Sequence, residues 1–221
     1  SLANGEGLSR VLEIIKNKAD QNEKITVVLS ARGKSTDELE EILEKASKNQ
    51  YYKDQLEAFK EYQKATYDKV DFKEEFDTLD KLLEGVSLLG DYSKRIKDQV
   101  LSQGEVISAK LVTEALKAIG VNANFTDSRN LIVTDEQFGN ALPLDALSRE
   151  NVINHFKTFN GSTVNVVTGY IASNIKRETT TLGRNGSNYT ASLLANYLDA
   201  EELQNFTHVD GIYTANPDLV A

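Results

Sequence analysis

Short β-branched runs alternate with amphipathic helical patterns along most of this 221-residue chain. Residues 24–30 and 163–170 are typical of buried strands, and helical patterns separate them. This order favours parallel strands, because a parallel pair needs the crossover connection that a helix supplies. We therefore predict an α/β fold, a three-layer sandwich with a mostly parallel central sheet, with ligands at the carboxyl ends of its strands.

The same patterns predict the other elements. An apolar stripe from Leu8 to Ile15 indicates one amphipathic helix. Acidic residues after Ser35 and Thr36 indicate a second helix, which either hydroxyl can cap. Further helices are predicted at residues 105–119, 148–159 and 188–198, and further strands within 121–128 and at 131–134, 179–182 and 203–209.

The segment from about residue 47 to residue 100 differs in character from its surroundings. It is charged, lacks proline and has few β-branched residues, so we predict two or three exposed helices that form an insertion. Its aromatic residues favour ordinary core packing, with a partner surface as the alternative. They are Tyr51, Tyr52, Phe59, Tyr62, Tyr67, Phe72 and Phe76.

Composition excludes several classes of function. The net charge is −9, from 34 acidic and 25 basic residues, so nucleic acid is not an expected partner. The absence of cysteine excludes disulfides, thiolate metal sites and a cysteine nucleophile. Two histidines without a metalloprotease motif give no support for a protein metal site. No apolar run nears the roughly 18 residues of a membrane span, and no signal peptide is evident, so a cytoplasmic protein without membrane contact is expected.

The segment 179–198 passes from a strand through a small-residue turn into a helix, with the sequence TTTLGRNGSNYTASLLANYL. Gly183 and Gly186 allow close approach of a ligand, and Ser187 or Asn188 can cap the helix. Arg184 adds a planar cation suited to carboxylate or phosphate. An anion site and an ordinary βα turn with a surface arginine both fit this pattern.

The loop after the first predicted strand contains Gly33-Lys34-Ser35, which resembles part of a Walker A motif. That motif needs a glycine five positions before the Gly-Lys pair, where this chain has Val28. The loop can still present hydrogen-bond donors to a ligand at a helix N-terminus, from Ser30, Lys34, Ser35 and Thr36, and a plain capping loop is the alternative.

Two further residues are candidates for chemistry. Glu105 follows Gly104 at the predicted start of a helix, where a carboxylate either opposes the helix dipole or accepts from a substrate ammonium group. His208 lies in a turn-rich loop after a predicted strand and is interpreted as a loop residue rather than a general base.

Five blocks of the sequence resemble the aspartate kinases of the amino-acid-kinase superfamily, and they occur in that family's order. They are SLANGEG, VVLSARGKSTDEL, SQGEVISA, TTTLGRNGSNYTA and THVDGIYTANP. The resemblance implies the amino-acid-kinase fold for residues 1–221, as a catalytic domain incomplete at both ends. The stretch LEGVSLLGDYS adds a similarity to kinases fused to a homoserine dehydrogenase.

The resemblance also implies roles for individual residues. Ser30 and Asn188 would be catalytic. The L-aspartate pocket would consist of Thr36, Glu105, Tyr170, Thr181, Arg184 and Ser187, with Glu105 on the amino group and Arg184 on the α-carboxylate. ATP, with Mg²⁺ bridging its phosphates, would bind the loop that contains Thr207, His208, Gly211 and Tyr213.

The implied reaction is phosphorylation of the L-aspartate β-carboxylate, the entry to lysine, threonine and methionine biosynthesis, by an allosteric homo-oligomer. Three positions depart from the family pattern. Asn188 and His208 each stand where aspartate is usual. Asp218 follows Asn216-Pro217, where the family often has an arginine after Asp-Pro. Glutamate or acetylglutamate kinase, or a non-catalytic effector-binding domain of the same fold, are the alternatives.

Overall fold

The structure, a computed structural model, describes residue 2 and residues 4–159 and 163–206. These residues form seven α-helices and six β-strands. The helices are α1 (Gly5–Asp20), α2 (Ser35–Ser47), α3 (Lys53–Ala65), α4 (Lys73–Leu89), α5 (Lys94–Ala118), α6 (Asp145–Phe156) and α7 (Gly186–Tyr197). The strands are β1 (Thr26–Leu29), β2 (Ala123–Thr126), β3 (Val133–Thr134), β4 (Val164–Thr168), β5 (Ile171–Asn174) and β6 (Thr179–Thr181).

The strands pair mostly in parallel, as the alternation predicts. β1 and β2 both pair in parallel with β4, in the order β1-β4-β2. β3 pairs in parallel with β5, and β6 pairs antiparallel with β5. The strands therefore divide between two three-stranded sheets, and the sequence does not predict β5 as a separate strand.

Helices cover both faces of the β1-β4-β2 sheet, which confirms the three-layer arrangement. Alternate residues of β4 point to opposite faces. Val166 lies in a core built mainly from α1, α2, α3, α4 and α5. Val167 lies in a second, smaller core with Leu194 of α7 and Val152 of α6.

The predicted helices between residues 47 and 100 are present as α3, α4 and the start of α5. They have no separate core, since Phe59, Phe76 and Leu79 belong to the same cluster as β1 and β4. Tyr52, Phe59, Phe72 and Phe76 are buried, which confirms core packing for them, whereas Tyr51 is 71% exposed. That this segment is an insertion stays a prediction.

Several local predictions were wrong. Neither Ser35 nor Thr36 caps α2, because Lys34 holds the cap position and the Ser35 hydroxyl is bonded to Gln63 instead. The helix expected at 148–159 is Asp145–Phe156. Residues 203–206 of the strand expected at 203–209 are exposed and lie in no strand, while residues 207–209 lie outside the described part of the chain.

The β4–α7 contact depends on a glycine. A Cβ on Gly169 would lie 2.6 Å from the Ser187 Cβ and 2.9 Å from its Cα, so the first turn of α7 packs directly on the end of β4. Gly186, the first residue of α7, has the same property, since its Cβ would meet Tyr170 Cδ2 at 2.6 Å. The two glycines fix the distance between the strand end and the helix.

Gly169→Ala is expected to lower the free energy of unfolding by about 1–3 kcal/mol, because the backbone of Ser187 must move. Gly85→Ala is the matched control. Gly85 lies inside α4 with no atom within 4 Å of its Cβ position, and this change should stabilise by about 0.5–1 kcal/mol. Urea unfolding measures both, and opposite signs are expected; equal shifts would contradict the tight β4–α7 contact.

Candidate functional site

A cavity of about 710 Å³ opens where the carboxyl ends of β1 and β4 meet the first turns of α2 and α7. α5 forms another wall, and the loop before α6 closes part of the rim. This is the expected ligand position in a parallel α/β sheet. The lining residues are Ser30, Thr36, Glu40, Lys94, Lys97, Asp98, Leu101, Glu105, Phe138, Gly139, Asn140, Tyr170, Gly183, Arg184, Asn185, Gly186, Ser187 and Asn188.

The fold brings the predicted catalytic and amino-acid-binding residues together, with one exception. Ser30, Thr36, Glu105, Tyr170, Arg184, Ser187 and Asn188 all line this cavity although they are far apart in sequence. Thr181 does not line it and instead bonds to Asp98. The predicted nucleotide residues Thr207, His208, Gly211 and Tyr213, like Asp218, lie outside the described residues.

Glu105 does not lie at the start of a helix, contrary to the sequence-based expectation. α5 begins at Lys94, where the Ser93 hydroxyl accepts a hydrogen bond from the Ile96 N–H, and it continues through Gly104 to Ala118. The glycine is a packing contact rather than a helix break. A Cβ on Gly104 would lie 3.2 Å from the Ala31 Cβ, so the loop after β1 lies directly against α5.

The Glu105 carboxyl is buried and incompletely paired. Its side chain is 3% exposed, and it accepts a hydrogen bond from the Ala31 N–H. Its Oε2 has no partner among the described residues. Burial raises the pKa of Glu105 to about 8, and the Ala31 N–H opposes this only in part. A bound cation would both partner this oxygen and favour the ionised carboxylate.

Asp98 is a cavity residue that the sequence reasoning did not find. It is 1% exposed, and its carboxylate accepts from the Gly139 N–H (2.9 Å), the Thr181 N–H (3.0 Å) and the Thr181 hydroxyl (2.9 Å). It therefore joins α5 to the end of β6 and to the loop before α6. Burial raises its pKa, although these hydrogen bonds and Lys97 act in the opposite direction.

The spacing of Asp98 carries a signal. It precedes Glu105 by seven positions, which is two helical turns and the same helix face. The helix predicted from the sequence begins at residue 105 and so leaves Asp98 out, whereas α5 begins at Lys94 and contains both carboxylates.

The turn before α7 brings Arg184 and the helix N-terminus to the cavity. Gly183 has φ 73° and Asn185 has φ 58°, so the backbone turns sharply on both sides of Arg184. Asn185, rather than Ser187 or Asn188, holds the cap position, and its side chain makes no capping hydrogen bond. Among the described residues no side chain caps the first-turn N–H groups of α7, and these groups favour an anion nearby.

Tyr170 links the two sheets beneath this turn. Its φ is 66°, and the Ile171 N–H donates to the Gly169 carbonyl at 2.7 Å, which forms a three-residue turn between β4 and β5. Such left-handed geometry is unfavourable for a tyrosine. It is held by the Tyr170 N–H, which donates to the Thr190 hydroxyl (3.1 Å), and by the Leu182 N–H, which donates to the Tyr170 carbonyl (2.9 Å).

Charges of both signs line the cavity. Lys94, Lys97 and Arg184 are cationic, and Lys97 forms an ion pair with Glu40. Arg184 is exposed and has no hydrogen bond or ion pair to any residue the structure describes. A zwitterionic small molecule would find an acceptor at Glu105 and a cation at Arg184 in one cavity.

Comparison with known proteins identifies the family. The sequence model of the amino acid kinase family matches residues 1–221. The chain belongs to the amino acid kinase family. This assignment agrees with the three-layer fold and with a ligand cavity at the carboxyl ends of its parallel strands.

Within the amino acid kinase family, the chain is similar to aspartokinases. It is 32% identical to the lysine-sensitive aspartokinase 3 of Escherichia coli over its whole length, which is 50% of that protein. It is 30% identical to a bifunctional aspartokinase/homoserine dehydrogenase of Buchnera aphidicola, of which it covers 28%. The chain thus spans half or less of the length of these relatives.

Solved structures agree with this family assignment. The crystal structure of E. coli aspartokinase III in complex with aspartate and ADP (R-state) matches the whole chain and 50% of that protein, with a TM-score of 0.86 at 30% identity. The complex of the same enzyme with lysine and aspartate (T-state) matches the same shares of each chain with a TM-score of 0.78.

Two kinds of feature are absent from the described residues. No helix there has both the length and the apolar character of a membrane span. No group of three or more acidic or histidine side chains in those ranges is arranged to hold a metal ion.

Glu105→Gln is expected to stabilise the unliganded protein at pH 8. Burial raises the pKa of Glu105 from its ordinary 4.5 to about 8, so the unfolded chain loses this proton first as pH rises. The neutral carboxyl contributes its full stability below the unfolded-state pKa of 4.5, and this contribution is lost as the pH rises from there to the folded-state pKa of about 8. Glutamine stays neutral, so its advantage should grow from pH 5 to pH 8, to about 1 kcal/mol or more.

Urea unfolding of the wild type and of Glu105→Gln at both pH values measures this effect. Asp98 is present in both proteins, so its own titration cancels in the difference. A stability difference that does not change with pH would contradict the raised pKa of Glu105.

Proposed function

We propose that the chain carries the amino-acid site of an aspartate kinase, which transfers the γ-phosphoryl group of ATP to the β-carboxylate of L-aspartate. The observation that carries the proposal is the buried Glu105 carboxyl with its unpartnered oxygen, in the same cavity as Arg184. Glu105 would accept from the substrate ammonium group. Arg184 would hold the α-carboxylate with its two-pronged guanidinium.

The β-carboxylate would then lie toward the loop after β1. Ser30 and Thr36 present hydroxyls to the cavity there, and both can donate hydrogen bonds to a carboxylate. Ser187, Tyr170 and the Asn188 amide supply further polar groups to the same cavity. Thr181 acts indirectly in this proposal, by holding Asp98 and the end of β6.

Phosphoryl transfer needs little more than position and charge stabilisation. The carboxylate of aspartate is ionised at neutral pH and is already a nucleophile. The uncapped N-terminus of α7 faces the cavity and favours the negative charge of a transferring phosphoryl group. ATP would enter as its Mg²⁺ complex, with the loop that contains Thr207, His208, Gly211 and Tyr213 on the nucleotide side.

The relatives support this proposal. E. coli aspartokinase III was crystallised with aspartate and ADP, and the TM-score is higher with that complex than with its lysine complex. The described conformation is therefore nearer to the aspartate- and ADP-bound form of that relative. A cytoplasmic homo-oligomer whose activity an amino-acid end product regulates is part of the same proposal.

The unpartnered Glu105 oxygen favours a free amino acid over acetylglutamate, and side-chain length distinguishes aspartate from glutamate. Acetylglutamate has an uncharged amide in place of the ammonium group, so it would leave the buried carboxylate without a cation. Glutamate keeps the ammonium group but is one methylene longer, which moves its reacting carboxylate relative to Ser30 and Thr36.

A coupled assay on the protein expressed from its complete gene tests the function. Phosphorylation with MgATP is measured for aspartate, glutamate, acetylglutamate and uridylate. Aspartate is expected to have the highest kcat/KM. Turnover of another acceptor without aspartate turnover would overturn the proposal, and binding of aspartate without any turnover would favour an effector-binding domain.

Arg184→Ala should raise the KM for aspartate by about tenfold or more, because the α-carboxylate loses a charged hydrogen-bond partner. The KM for MgATP should change by less than about twofold. Arg10→Ala is the control, since Arg10 lies on the exposed face of α1 and, within the part of the chain that the structure describes, forms an ion pair with Glu6 alone. Equal losses for both substrates would contradict the role given to Arg184.

A further inference from the structure

Arg32 lies two residues after Ser30, but its side chain points away from the cavity. It is 1% exposed, and burial lowers its pKa. A buried guanidinium is stable only when its donors are satisfied. Its Nε donates to the Leu2 carbonyl at 3.0 Å, and its Nη2 donates to the Thr66 hydroxyl.

The rest of the Arg32 guanidinium binds the end of α3. Its Nη1 lies 3.4 Å from the Tyr62 carbonyl, 3.3 Å from the Gln63 carbonyl and 3.2 Å from the Gln63 Oε1. The guanidinium also lies over the Tyr62 ring, 4.6 Å from its centroid. A cation at the last carbonyls of a helix satisfies them and complements the helix dipole.

Gln63 makes a second connection to the same loop. Its Nε2 donates to the Ser35 Oγ at 2.7 Å, and both side chains are buried, at 1% and 0% exposure. Gln63 therefore accepts from Arg32 and donates to Ser35 with the two ends of one amide. This arrangement fixes the middle of the loop between β1 and α2, and the first residue of α2, against α3.

The opposite side of the loop faces the substrate cavity. Ser30 and Thr36 line the cavity, and the Ala31 N–H donates to Glu105. Gly104 of α5 allows this approach. The loop thus lies between α5, which it contacts at the cavity, and α3, which holds it from behind.

We propose that the end of α3 is a positioning element for amino-acid binding, in which Arg32, Ser35 and Gln63 hold the loop that presents Ser30, Thr36 and the Ala31 N–H. The proposal gives the helical segment between residues 47 and 100 a part in the site, although α3 itself lines none of the cavity. The kinetic part of the test rests on the proposed function, because it assigns Ser30 and Thr36 to the substrate.

The test uses Gln63→Ala and Ser35→Ala, alone and combined, in the protein expressed from its complete gene. Each single change should lower kcat/KM for the amino acid by about tenfold through displacement of the loop. The KM for MgATP should stay within about twofold. The double variant should lose little more than Gln63→Ala alone, because Ser35→Ala removes a hydrogen bond that Gln63→Ala already removes.

Two further variants separate positioning from general stability. Lys60→Ala alters a buried side chain of the same helix that pairs with Glu57 and Asp80 rather than with the loop. It should lower the melting temperature but leave kcat/KM at 25 °C unchanged. Gln63→Glu keeps an acceptor for Arg32 and for the Ser35 hydroxyl, and it should retain most of the activity.

Hydrogen exchange gives a readout that does not depend on the substrate. Peptides covering residues 30–36 should exchange faster in Gln63→Ala and Ser35→Ala than in Lys60→Ala. If the loop exchanges faster but aspartate is not a substrate of the wild type, the proposed function fails and the positioning role stands. Unchanged loop exchange, or the same kinetic loss in Lys60→Ala, would overturn the positioning role.

Discussion

The close contact between the loop after β1 and the middle of α5 is the constraint on which the site depends. Because residue 104 is a glycine, Ala31 packs so closely against α5 that a Cβ on Gly104 would lie 3.2 Å from the Ala31 Cβ. This contact places the Ala31 N–H on Glu105 and excludes water from the carboxyl, which raises its pKa. The same contact sets the positions of Ser30 and Thr36 at the cavity.

The sequence predicts much of this fold because local periodicity is strong where elements are regular. Short runs of β-branched residues make β1 and β4 readable as strands, and their ends place Ser30 and Tyr170 at one edge of the sheet. The motifs around Glu105 and Arg184 place both in the cavity. Element type and the location of the site therefore follow from short-range patterns.

The remaining features depend on contacts between distant segments, which short-range patterns do not carry. Gly104 looks like a helix break, yet α5 continues through it because a neighbouring loop fills the space beside it. Asp98 looks like a surface residue, yet its partners are 41 and 83 positions away. Ser35 looks like a helix cap, yet Gln63 takes its hydroxyl.

The turn at Tyr170 has a consequence for cooperativity. One continuous stretch of chain supplies β4 to one sheet and β5 to the other, with only Gly169 and Tyr170 between them. β4 is the central strand of one sheet and β5 is the central strand of the other. Neither sheet can therefore separate from its helices without displacing this stretch. The two sheets should therefore open as one cooperative unit, with the cavity at their shared segment among the last parts of the protein to lose its structure.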